Sequence, residues 1–77
     1  MSAIDEIFEL LEDGRWHDIK EAMAKSNLQE FKVEMIYGFL AEYAFIDFNN
    51  EQKKAKLTPT TLKFIREIRR IEKGRRS

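Results

Sequence analysis

Lys53, Lys54, Lys56, Lys63, Arg66, Arg70 and Lys73 are the side chains whose type and spacing most clearly imply chemistry, and that chemistry is the binding of phosphate. Residues 52–77 carry 10 basic and 2 acidic side chains, whereas residues 1–51 carry 4 basic and 12 acidic ones, so a net charge of zero divides into +8 and −8. A basic segment with no acidic counterweight of its own seeks phosphate, acidic protein or anionic lipid. Catalysis is poorly provided for. His17 is the single histidine and the chain has no cysteine, so neither a metal site nor a Cys-His pair can be assembled around it. Asp5, Glu9 and Glu12 fall on the outer face of a helix, with no apolar pocket to raise a carboxyl pKa. Gly14, Gly38 and Gly74 are isolated, which excludes a phosphate-cradling glycine loop. Neither an enzyme nor a metal or cofactor site is expected.

The elements that position the basic residues must come from one small domain, because a chain of 77 residues buries only about 60% of its unfolded surface and leaves little room for an internal active site. A hydrophobic fraction of 43% with six Phe, two Tyr and one Trp is enough for a compact core. The start is acidic and amphipathic, without the basic flank and apolar run of a signal peptide, and no membrane span is present. An intracellular protein, cytoplasmic or nucleoid-associated, is expected. The start methionine and basic end read as those of a complete small protein.

Apolar spacing divides the chain into four helices and a hairpin. Ile4, Ile7, Phe8 and Leu11 predict a helix over about 3–13, capped by Ser2 and followed by Gly14. Trp16 then stands in a short extended piece. Asp18-Ile19-Lys20-Glu21 has the form of a capping box, opening a second helix over about 18–25 with Ile19, Ala22 and Met23 inward. After the turn formers Ser26-Asn27, a third helix is predicted over about 28–43. The period then shortens: Phe45-Ile46-Asp47-Phe48 and Ala55-Lys56-Leu57 flank a polar stretch, which predicts a hairpin over about 45–57. Thr58-Pro59 opens a last helix over about 59–73, with Leu62, Phe64, Ile65, Ile68 and Ile71 apolar and Gly74 as its stop.

This order, with these joints, resembles the winged helix-turn-helix family over nearly the whole chain. Leu40-Ala41-Glu42-Tyr43-Ala44-Phe45-Ile46 is similar to the family's passage from third helix to first wing strand, except that Ala44 stands where glycine is usual. Leu57-Thr58-Pro59 is similar to its passage from second wing strand to final helix, and Gly14-Arg15-Trp16-His17-Asp18-Ile19 to its first link, with Trp16 in the small third strand's place. The resemblance implies an α+β, mainly helical fold, a three-helix core with a β-hairpin wing and an added C-terminal helix, and a DNA-binding transcriptional regulator. It also implies that the third helix enters the major groove.

The residues of that helix argue against ordinary insertion. Advancing about 100° per residue, Val33, Ile36, Leu40 and Tyr43 form the expected buried stripe, and Phe31, Glu34, Met35, Gly38 and Glu42 the opposite face. That outer face carries two acids and no cation, so only Gln29 and Lys32, near the helix start, are placed to approach bases. Two readings of it stand side by side. Phe31, Met35 and Gly38 form an acid-rimmed strip for a partner helix or second subunit, or neighbouring loops cover Phe31 and Met35 as extra core.

On the last helix, Lys63, Arg66, Arg70 and Lys73 form one stripe with Arg69 at its margin, and Arg75 and Arg76 extend the charge. With wing residues Lys53, Lys54 and Lys56 this suits contact with the backbone of double-stranded DNA rather than base reading. A merely solvated helix face, or neutralisation by Asp5, Glu6, Glu9 and Glu12, are the competing readings. About two apolar residues would dock this helix, so the excess at Ile68 and Ile71 suggests a homodimer.

Overall fold

The structure, a computed structural model, describes residues 2–75. Helix α1 (Ala3–Leu11) is followed by strand β1 (His17–Asp18), helices α2 (Ile19–Ser26) and α3 (Glu30–Glu42), strands β2 (Ile46–Asn49) and β3 (Lys54–Leu57), and helix α4 (Pro59–Arg75). The fold is α+β and mostly helical, with one antiparallel sheet of order β1-β3-β2. In register, His17 faces Ala55, and Ile46 faces Leu57.

Local chemistry sets the helix starts. Ser2 accepts the Asp5 N–H at the head of α1. At α2 the capping box forms in full: Asp18 Oδ1 accepts the Glu21 N–H at 2.9 Å, and Glu21 Oε2 accepts the Asp18 N–H at 3.0 Å. Asn27 closes α2 in the left-handed conformation, which a short amide side chain tolerates. Helix α1 ends at Leu11, two residues before Asp13, because Gly14 turns the chain at φ 78 and its N–H bonds the Leu11 carbonyl. A Cβ on Gly14 would also stand 3.0 Å from Leu62 Cδ2, so the glycine provides the close approach by which α4 docks.

The core joins Ile7 and Leu11 of α1, Ile19 and Ala22 of α2, Val33, Tyr37 and Leu40 of α3, and Ile46, Ala55 and Leu57 of the sheet. Tyr37 packs edge-on against Phe48, with ring centroids 5.5 Å apart. Its hydroxyl has no partner among the described residues. Burial, reinforced by the charges of Glu21 and Asp18, pushes its pKa up to about 12, so it stays neutral.

Further expectations are corrected, the first being Trp16, which stands just before the short strand β1 (His17–Asp18) rather than in it. Helix α3 starts at Glu30 rather than Leu28, because Gln29 is its extended N-cap. Tyr43, assigned to the buried stripe, is 60% exposed, and Tyr37 takes the inward position. Tyr43 is the C-cap of α3, where the helix has ended and the chain turns toward β2, so its side chain leaves the core. Gly74 does not stop α4, which runs through it to Arg75; Gly74 lacks the positive φ of a C-terminal glycine cap. Arg76, read as an extension of the basic stripe, lies outside the described residues.

At the joint between α3 and β2, Ala44 has φ 63. Its carbonyl accepts from Thr58 Oγ1 at 3.0 Å, and the Thr58 N–H bonds the Phe45 carbonyl, so the strained turn is tied to the start of α4. A left-handed alanine costs about 1–2 kcal/mol, and glycine gives back part of that in unfolded-state entropy. Ala44→Gly should therefore raise unfolding stability by roughly 0.5–1 kcal/mol, read as a higher urea midpoint at unchanged slope, and Ala44→Val should lower it. A glycine variant less stable than the parent would show that Ala44 carries no strain.

Candidate nucleic-acid and protein interfaces

The basic residues separate into those already held by the protein and those left for a partner. Lys53, at the tip of the hairpin, points to α3 and meets Glu34 at 3.2 Å. Lys56 Nζ sits 5.0 Å above the ring of Trp16, which is half-exposed just before β1. Arg70 is bonded to Glu67 within α4. Arg69 reaches α1, where Nη2 and Nε lie 2.6 and 2.7 Å from Glu12 Oε1, and it also approaches Glu72 at 3.4 Å. The acidic first helix thus takes one cation of the basic helix within the chain. Glu9 goes instead to Lys25 of α2 at 2.7 Å, whose ammonium hydrogen bond holds the carboxyl below its usual range.

Lys32, Lys54, Lys63, Arg66 and Lys73 have no carboxylate within ion-pair distance among the described residues. Lys63, Arg66 and Lys73 follow one line along α4, and Lys54 lies on β3, paired in register with Asp18. Arg66 Nη2 stands 3.9 Å from where a Cβ would sit on Gly14, two residues from the ring that Lys56 covers. The α1–β1 link is therefore flanked by a cation from the sheet and one from α4. Gln29 and Lys32 are exposed at the opening of α3.

The outward face of α3 is different in kind. Phe31, Met35, Phe39 and Tyr43 are 55, 68, 53 and 60% exposed, and they recur every fourth residue, so they form one ladder along the helix. The rings of Phe39 and Tyr43 are 4.9 Å apart. Gly38 and Glu42 are exposed beside the ladder, and Glu34 is partly buried with its charge met by Lys53. Neighbouring loops do not cover Phe31 and Met35. On α4, Leu62 and Ile65 pack against the core, while Phe64, Ile68 and Ile71 remain outside at 62, 36 and 48% exposure. Sequence reasoning missed Phe39, Tyr43 and Phe64 as surface residues; the spacing 31, 35, 39, 43 was the available signal.

His17 occupies a structural bridge. Its Nε2 lies 2.9 Å from Asp13 Oδ1 and its Nδ1 lies 2.9 Å from Glu21 Oε1, so both ring nitrogens face carboxylates and the imidazolium satisfies both. Partial burial pulls the His17 pKa down, but the hydrogen bonds to Glu21 and Asp13 outweigh it and the net shift is upward. Among the described residues, no three side chains gather to hold a metal ion, and no helix is long and apolar enough to cross a membrane. No protein-family model, curated protein or solved structure matches the chain.

The bridge fixes a pH dependence. With the folded pKa raised above about 6.5, the stability that His17 supplies is complete below that value and is lost as pH rises through the folded pKa. Unfolding free energy should fall across this window with a slope no steeper than about 1.4 kcal/mol per pH unit, the limit for one proton. In His17→Ala the slope should vanish. A parent protein that gains stability over the same window would contradict the doubly bonded imidazolium.

Proposed function

We propose that the chain is a winged helix-turn-helix domain that binds duplex DNA through the phosphate backbone and acts as a small transcriptional regulator, with α3 held out of the major groove. The fold reading is supported by the order of elements, by β1 pairing at the edge of the β2–β3 hairpin, and by the left-handed turn at Ala44 where the family's glycine would stand. Lys54, Lys63, Arg66 and Lys73 are the phosphate contacts, with Lys56 able to leave its ring and Gln29 and Lys32 nearest to bases.

One observation carries this reading. Among the described residues, Lys54 of β3 and Lys63, Arg66 and Lys73 of α4 have no ion-pair partner, while the helix that would read bases presents Phe31, Met35, Phe39 and Tyr43; its one unpaired cation, Lys32, stands in its first turn, and Lys53, which reaches its outer face, is already neutralised by Glu34. Placing that face in a major groove would put apolar and acidic surface where donors and cations are required. The same observation favours a second role for α3 as a protein-binding face.

A salt titration of duplex binding tests the proposal. Log affinity should fall with log salt by about 0.9 for each phosphate engaged, and should change little with sequence. Arg66→Ala should weaken binding and reduce the magnitude of that slope by roughly one unit, and Lys63→Ala should do the same. Lys53→Ala should have a smaller effect because Glu34 already holds that charge. Undetectable binding at low salt, or an Arg66→Ala variant that binds as the parent does, excludes the DNA reading.

A further inference from the structure

We infer that the ladder on α3 is the docking surface for a second copy of this chain, α3 against α3, antiparallel about a two-fold axis; this rests on the reading of α3 as a protein-binding face. A two-fold interface must be complementary to itself, residue i meeting j where j meets i. The ladder has that symmetry. Phe31 and Tyr43 lie equally far from position 37, and so do Met35 and Phe39, so reversal of the helix direction sets Phe31 toward the partner's Tyr43 and Met35 toward the partner's Phe39. Rows of residues spaced by four are the ridges that interdigitate when two helices cross at about −50°, and the ladder is such a row.

Gly38 stands beside the centre of this arrangement. Among the described residues, no atom outside the helix's own neighbouring backbone lies within 4 Å of the position its Cβ would take, and the backbone there is helical, so no packing contact among them requires a glycine. Glycine at an exposed helix interior costs about 1 kcal/mol relative to alanine. What it provides is a notch in the row next to the ladder, through which a facing helix can approach closely.

Charge favours a copy over a charged partner, and the area suits a weak pair. Each ladder side chain leaves about half of its surface outside, so roughly 100 Å² apiece gives roughly 400 Å² per copy and roughly 800 Å² for the pair from the ladder alone, the size of a weak interface. Among Glu30, Lys32, Glu34, Glu42 and the Lys53 that reaches Glu34, three acids stand against two bases, a net of −1. Helix α4 also exposes Phe64, Ile68 and Ile71, but it carries six basic residues against two acidic ones, a net of +4. Two copies of α4 side by side repel, and two copies of α3 hardly do.

Sedimentation equilibrium of the full chain without DNA, over the micromolar range, tests this. The parent should be dimeric. Met35→Asp should weaken the dimer by about tenfold or more, whereas Ile68→Asp should leave it unchanged. Gly38→Leu is the second variant: it improves helix propensity, so the monomer should unfold at a higher urea concentration, yet it fills the notch and should dissociate the dimer. A monomeric parent, or a dimer dissociated by Ile68→Asp and not by Met35→Asp, overturns the second-copy inference and leaves α3 as a face for a different protein. A Met35→Asp variant that weakens duplex DNA binding without altering assembly overturns both, because α3 then touches nucleic acid.

Discussion

A domain this small encloses a single core, and α3 can turn only one side toward it. Val33, Tyr37 and Leu40 occupy that side and are almost completely buried against α2 and the sheet. The helix nevertheless carries apolar residues all round, so burying one stripe leaves Phe31, Met35, Phe39 and Tyr43 in solvent. Those four side chains form an exposed apolar row along one helix, and the largest apolar patch on a small domain is often functional. The same constraint governs α4, where Leu62 and Ile65 suffice for docking and the residues beyond them stay outside.

Electrostatics then decides which surfaces remain available to which partners. Glu12 with Arg69, Glu9 with Lys25, and the carboxylates around His17 tie α1, α2, α4 and the first link to one another. Each exposed pair adds little stability, typically below about 1 kcal/mol. Their larger effect is to remove charges from the surface. Arg69 and Lys53 are neutralised by acids on other elements, whereas Lys54, Lys63, Arg66 and Lys73 have no ion-pair partner among the described residues, so β3 and α4 carry most of the unpaired cations of the basic half of the chain. The α3 face is left close to neutral.

The elements were legible in the sequence where a local rule forces the conformation. Asp18 with Glu21, Gly14, Thr58-Pro59 and the alternation around Ile46 and Leu57 each specify a joint through contacts a few residues long, and each appears where the residues imply. Errors arose where long-range packing chooses between near-equivalent faces. Tyr37 and Tyr43 lie on opposite margins of the same stripe, and only the position of β2 and the end of α3 determine which one is covered. Gly74 is read as a stop by composition, but its backbone lacks the positive φ of a glycine cap and α4 continues through it to Arg75. The candidate site was legible by residue type and not by availability: Lys53 and Lys63 are indistinguishable until Glu34 is found within ion-pair distance of the first and no carboxylate of the described residues within that distance of the second.

Backbone-amide NMR of the labelled chain titrated with a short duplex at low salt tests most directly the division of labour between α4 with β3 and α3. Shift changes are expected at Lys54, Lys63, Arg66 and Lys73, with Met35, Phe39 and Tyr43 unmoved. Changes centred on Met35, Phe39 and Tyr43, with α4 unaffected, would contradict the account, because α3 would then be the DNA-reading element.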